Sequence, residues 1–209
     1  NLQPRVLEGF GAVVATIWVF LLISRLHEII TIGTHVPVRV FLLLYPLGSL
    51  LWLVSGGAYR TFSNRVGLGF ALLTVWFMAG APFSSWRGGT ARWLAVSWAP
   101  NTITFLVFSA LLFSLVHWRR SVRAIAWATP LIAAFTVVTG EADQLGRVTV
   151  EMGTLANANE VVIFMLVGLP FWLQPAGSPE TSVFRKLLIF GGLPVMGWLI
   201  LRTGFRSGV

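Results

Sequence analysis

Between residues 122 and 140 the chain reads Val122-Arg123-Ala124-Ile125-Ala126-Trp127-Ala128-Thr129-Pro130-Leu131-Ile132-Ala133-Ala134-Phe135-Thr136-Val137-Val138-Thr139-Gly140. After its one arginine the run carries no charge, and it has the ~17–25 residue length that crosses a bilayer as a helix. A strand of a membrane barrel would alternate apolar and polar positions over about ten residues. This run does not. A helix satisfies every backbone polar group within itself, which is the condition for lying in lipid. Six further runs approach the same length: 10–30, 36–55, 65–81, 98–118, 158–174 and 186–203. The predicted fold is therefore all-α, a polytopic transmembrane bundle of about seven helices forming a single domain over 1–209.

Composition agrees. The chain is 56% hydrophobic and 11% charged, with a mean hydropathy of +0.81, against roughly 25% charged residues in a soluble domain. It contains no cysteine, which removes disulfides and thiol chemistry. The formal charge of +8 comes from 15 basic residues against seven acids. Such a balance suits anionic headgroups or a phosphate-bearing substrate. The arginines are scattered over short connectors and form no stripe, so nucleic acid is not expected as a partner. No internal repeat is visible, and there is no phosphate-binding Gly-rich loop, zinc-protease motif or acidic triplet for magnesium.

On the N-terminal side of the opening run stands Trp118-Arg119-Arg120-Ser121-Val122-Arg123, read as a tight basic turn on the cytoplasmic side. Alternating spans from that point places Arg5, Arg60, Arg65, Arg119, Arg120, Arg123, Arg185 and Lys186 inside. Arg25, Arg39, Arg87, Arg92, Arg147, Arg202 and Arg206 fall outside. An excess of basic residues inside sets topology, and this count gives almost none. Cations kept outside against that bias point to an anionic substrate there. The Trp-rich stretch 81–98 is expected along a membrane face, since tryptophan favours the headgroup level. Arg25 and Glu28, three apart in Ser24-Arg25-Leu26-His27-Glu28, share a helix side and read as a snorkelling interfacial pair.

On the C-terminal side of the run lies the one polar interruption, Glu141-Ala142-Asp143-Gln144-Leu145-Gly146-Arg147-Val148-Thr149-Val150-Glu151-Met152-Gly153-Thr154-Leu155-Ala156-Asn157-Ala158-Asn159-Glu160. It holds Glu141, Asp143, Glu151 and Glu160 beside a single Arg147. Polar groups gathered between apolar spans are functional candidates. Asn157 or Asn159 suits the N-cap of the helix that follows, and Glu160 in its first turn is favoured by the helix dipole. That capping role accounts for most of this turn without a substrate.

Three stretches, over about 65–209, together resemble the O-antigen ligase and polymerase family of bacterial envelopes. Gly153-Thr154-Leu155-Ala156-Asn157-Ala158-Asn159-Glu160 is similar to the family's Gly-Thr-Phe-x-Asn-Pro-Asn-(Asp/Glu) motif with an arginine shortly before it, here Arg147. Thr203-Gly204-Phe205-Arg206-Ser207 resembles a Thr-Gly-Ser-Arg-Gly element, and Pro82-Phe83-Ser84 a Pro-Phe-Ser segment. Ala158 stands where the family has proline, Phe205 where it has serine and Ser207 where it has glycine.

The resemblance implies a multi-pass protein of the bacterial inner membrane. Its implied activity is transfer of a glycan from undecaprenyl diphosphate to an acceptor, which is lipid A core, a growing polysaccharide or a protein, without metal or nucleotide cofactor. It also implies a larger protein of about ten to twelve helices whose functional histidine lies in a later loop. None of His27, His35 and His117 matches that histidine, and the general base is expected beyond Val209. The expected clamp on the departing diphosphate is Arg147 with Arg206, because a guanidinium binds phosphate oxygens through paired hydrogen bonds. Asn157, Asn159, Glu160, Arg202 and Arg87 are the expected substrate-binding residues. Each arginine has a competing role as an interfacial anchor. The alternative functions are a transporter or flippase for lipid-linked or anionic solutes, and a non-catalytic assembly subunit.

Overall fold

The computed structural model describes residues 4–112, 114–142, 147–150 and 153–203, with residues 4–7 and 154 described by their backbone alone. Ten α-helices account for nearly all of it among the described residues: α1 Pro4–Ser24, α2 Leu26–Thr34, α3 Phe41–Val54, α4 Gly57–Phe62, α5 Arg65–Gly80, α6 Arg87–Trp93, α7 Ala99–Leu111, α8 Leu115–Thr139, α9 Ala158–Leu173 and α10 Val183–Arg202. Among the described residues one strand pair joins β1 Glu141–Ala142 antiparallel to β2 Val148–Thr149. Outward faces are apolar rather than polar: Leu43 is 74% exposed, Trp76 74% and Leu201 82%. A water-soluble protein does not show surface of this kind over whole helices. The protein is a membrane-embedded helical chain.

Among the described residues five helical stretches have the length and apolarity to cross a bilayer, or six if the bent pair formed by α1 and α2 is one span. The predicted runs 158–174 and 186–203 correspond to α9 and α10 within a few residues. The run 36–55 yields the short apolar helix α3, and the run 10–30 is interrupted by a 60° bend between Ser24 and Leu26.

Two expectations about the middle of the chain are corrected. The stretch predicted to lie along the membrane face is helical from Arg87, and α6, a π-helical turn at Leu94–Trp98 and α7 form one apolar stretch to Leu111. Pro100 lacks the N–H that an α-helix needs and its ring crowds the carbonyl four residues back. The widened π turn just before it accommodates both defects and lets the helix continue. The basic Trp118–Arg123 stretch is likewise not a turn but the opening of α8. The chain breaks before it, and Ser114 starts the helix by accepting the His117 N–H at 3.2 Å. Nothing from 115 to 129 is glycine or proline, and arginine and alanine are good helix formers, so helix continues through the charges.

The helices gather in two compact units. The first comprises Asn1–Thr16 and Val40–Trp118. Here α7 packs on α3 and α4, and α5 meets the α6–α7 stretch through stacked rings, with Phe70 4.1 Å from Phe105 and 5.4 Å from Trp98. Trp98 Nε1 donates to Thr74 Oγ1 at 3.3 Å. Buried Thr61 shares a hydrogen bond with Ser109 at 2.8 Å and receives one from Trp52 Nε1. Arg60 pairs with Glu8 at 2.6 Å.

The second unit comprises Ile17–Arg39 and Arg119–Val209. Its core collects Ile132 and Ala133 of α8, Val161, Met165 and Trp172 of α9, and Ile189, Met196 and Leu199 of α10. Thr129 of α8 fills the space where a Cβ on Gly168 of α9 would stand, the close approach that small residues permit between membrane helices. A short loop after α9 makes α10 run back along it, so α10 ends at the level where α9 begins.

Candidate functional site

The described residues of the polar connector after α8 form a cap on the second unit. Its β1–β2 ladder pairs Glu141 with Thr149 and Ala142 with Val148. Beyond β2 the backbone turns back, and the Val150 N–H donates to the Leu155 carbonyl at 3.1 Å. Val150 and Leu155 are buried in the same cluster as Val161 and Leu199. By the ~25 cal/mol per Å² of apolar surface removed from water, these two side chains anchor an otherwise polar segment. A short 3₁₀ turn at Gly153–Ala156 then leads into α9.

Of the two asparagines proposed as caps, the structure assigns the role to Asn157. Its backbone is extended, and its Oδ1 accepts the Asn159 N–H at 3.0 Å. Asn159 is exposed, and Glu160 lies half-buried in the first turn, where the helix dipole favours negative charge. Arg147 immediately precedes β2 and is half-buried. Arg202 is the last residue of α10, exposed, with its guanidinium 5.7 Å from the Trp198 ring. Buried Thr203 closes that helix by donating to the Leu199 carbonyl. Arg147, Asn157, Asn159, Glu160 and Arg202 thus all belong to the connector end of the second unit. Arg87 opens α6 in the first unit and is exposed. Arg206, Glu151 and Asp143 lie outside the described residues.

What the sequence did not disclose is where the Arg25–Glu28 pair goes. Arg25 has φ 52°, in the left-handed region, which costs a side-chain-bearing residue about 1–2 kcal/mol. It forms the hinge between α1 and α2. The predicted pair forms at 3.4 Å, but both side chains are only about one-seventh exposed, 14% and 15%. The guanidinium also stands 4.5 Å over the Phe164 ring of α9, a contact that strengthens as water is excluded. His27 Nε2 lies 3.7 Å from the same Glu28 oxygen.

Glu28 in turn reaches the connector. Its carboxylate packs against Gly153, which has φ +73°. A depression of about 190 Å³ opens beside them, lined by His27, Glu28, Thr31, Pro37, Arg39 and Gly153. The arrangement brings a carboxylate, an imidazole and guanidinium groups to the edge of a polar connector at the end of apolar helices. The exposed lining of the depression is nearly all apolar, so the Glu28 carboxylate is directed to Arg25, His27 and Gly153 rather than into the open space. The signal was present in the sequence as three ionisable residues within four positions of an apolar run. What hid it was the connector partner, which is more than a hundred positions away.

Among the described residues no three His, Cys, Asp or Glu side chains gather as metal ligands would. No protein-family model, curated protein or solved structure matches the chain.

Proposed function

We infer that the chain belongs to a glycan transferase of the O-antigen ligase and polymerase kind, acting at the outer face of a bacterial inner membrane. The observation that supports this reading is the connector itself. An arginine-bearing polar segment is fastened by Val150 and Leu155 into the core of apolar helices and is packed at Gly153 against Glu28. A soluble-facing loop needs no such anchoring. A segment that must hold a lipid-linked substrate at the membrane surface does.

In the reaction the acceptor hydroxyl oxygen bonds to the anomeric carbon as the bond from that carbon to the diphosphate oxygen breaks. The electron pair leaves with the undecaprenyl diphosphate, and the hydroxyl proton passes to a base. Arg147, with Arg206, stabilises the charge on the leaving diphosphate. Asn157 and Glu160 hold the turn that positions Arg147 relative to the sugar, while Arg202 and Asn159 contact donor or acceptor. Glu28, paired with Arg25 and His27 and packed against Gly153 of the connector, is the group proposed to take the proton, in place of the histidine that the resemblance puts beyond Val209.

The test is made in cells carrying the intact protein. Arg147→Ala is expected to abolish glycan attachment while the lipid-linked donor accumulates. Arg147→Lys, which keeps the charge but loses the fork of donors, is expected to recover only part of it. Unchanged attachment with no donor accumulation in Arg147→Ala overturns the reading.

One observation favours a second reading. A span broken at a charged hinge is a feature of secondary transporters, and α1 and α2 break at Arg25. A transporter would move a labelled anionic or lipid-linked solute across proteoliposomes without forming a glycosidic bond. A transferase would form the bond without net movement.

A further inference from the structure

Away from the connector, the second unit carries a groove of about 490 Å³ along α8 and α10, floored by Trp172 of α9. Its lining includes Trp127 and Pro130 of α8 and Leu188, Gly191 and Val195 of α10, with almost no polar surface. Gly191 matters for its depth, because a Cβ there would meet nothing within 4 Å. On α10 the lining runs from Phe184 to Met196, a rise of ~18 Å at helical pitch. That is close to the ~15 Å of one leaflet, half the hydrocarbon core.

One end of the groove is basic. Arg185 stands 5.8 Å from the Trp127 ring, and Arg123 lies one turn before Trp127 on the same face of α8. Arg119, Arg120 and Lys186 belong to the same two helix openings. Among the described residues none of Arg123, Arg185 and Lys186 enters an ion pair, and Glu180, the acid before α10, is exposed and apart from them. Cations in the first turns of a helix oppose its dipole, so helix stability does not explain them. Because α8 and α9 are antiparallel and so are α9 and α10, this end is opposite the connector.

We propose that the groove between α8 and α10 holds one acyl chain of an anionic glycerophospholipid, whose phosphate is bound by Arg185 and Arg123 at its basic end. The headgroup chemistry follows from unneutralised guanidinium groups at the mouth. The chain follows from an apolar trough one leaflet long that faces lipid. The proposal is independent of glycan transfer, since it lies at the other end of the unit.

The test is native mass spectrometry of the intact protein, purified in detergent and exchanged with an equimolar mixture of phosphatidylglycerol and phosphatidylcholine of identical chains. Retention of phosphatidylglycerol at least tenfold above phosphatidylcholine is expected. Arg123→Ala with Arg185→Ala should bring the two to parity. Gly191→Leu, which fills the trough from an open position, should lower retention of both lipids, with the thermal midpoint in lipid-free detergent unchanged as proof of folding. If Gly191→Leu does not fold, Gly191→Ala and a series of phosphatidylglycerols with shorter chains give the same reading through graded loss. Equal retention of the two lipids in the parent protein overturns the proposal. So does preferential retention of a polyisoprenoid, occupation of the groove by a second copy or another protein helix, or indifference to filling at Gly191.

Discussion

The Glu28 carboxylate occupies the space in which a Cβ on Gly153 would have to stand. Gly153 also has φ +73°, so alanine there meets both a steric and a backbone penalty. Gly153→Ala is expected to destabilise the protein by about 1–3 kcal/mol in detergent unfolding. Adding Glu28→Ala should return the steric share and leave the backbone share. Additive losses in that double-mutant cycle would show that the two residues do not touch.

The hinge at Arg25 gives a contrast between two substitutions that remove the same side chain. Arg25→Gly and Arg25→Ala both lose the Glu28 pair and the Phe164 contact, but glycine adopts the left-handed backbone freely. Arg25→Gly should therefore be the more stable by about 1 kcal/mol. Unfolding midpoints in the reverse order would mean that the bend is not held at this residue.

For Asn157 the cap and the substrate role can be separated. Asn157→Ala should cost about 0.5–2 kcal/mol, the usual loss of an N-cap. Asn157→Asp keeps an oxygen for the Asn159 N–H and should leave stability within a few tenths. A fall in glycan attachment for Asn157→Asp at unchanged stability would assign the amide a part in substrate contact. Unchanged attachment restricts it to the cap.

Close packing between α8 and α9 is tested at Gly168. Gly168→Val would drive a side chain into Thr129 and is expected to cost about 1–3 kcal/mol by overpacking. Thr129→Ala in the same chain should recover part of it. A tolerated Gly168→Val would mean that the two helices are not in contact there.

Spans were legible in the sequence where an apolar run adjoins turn chemistry, as at Asn157, whose side chain caps α9; Ser182 does the same for α10, which opens at Val183 rather than at the predicted 186. They were misread where charge was taken for a turn. Arg119, Arg120 and Arg123 favour helix as readily as leucine does, and local sequence contains nothing to stop α8 before Leu115. The hinge at Arg25 was illegible for the opposite reason, since neither glycine nor proline marks it. The contacts made there, with Glu28 close by but with Phe164 and the connector far along the chain, are tertiary. For the candidate site, the connector and the cap were visible as composition and spacing, while the approach of Glu28 to Gly153 was not. Arg87, expected to bind substrate from the family resemblance, belongs to the first unit, whereas the connector residues belong to the second.

The bend at Arg25 also sets a length. From Pro4 to Ser24 the first arm rises ~31 Å, which matches the ~30 Å hydrocarbon thickness, and α2 leaves at 60°. An upright first arm therefore uses up the whole depth of the apolar layer and delivers Arg25, His27 and Glu28 to a membrane face, where the ionisable hinge is wetted without thinning the bilayer. Thicker bilayers would draw that hinge inward, so its hydration depends on lipid chain length.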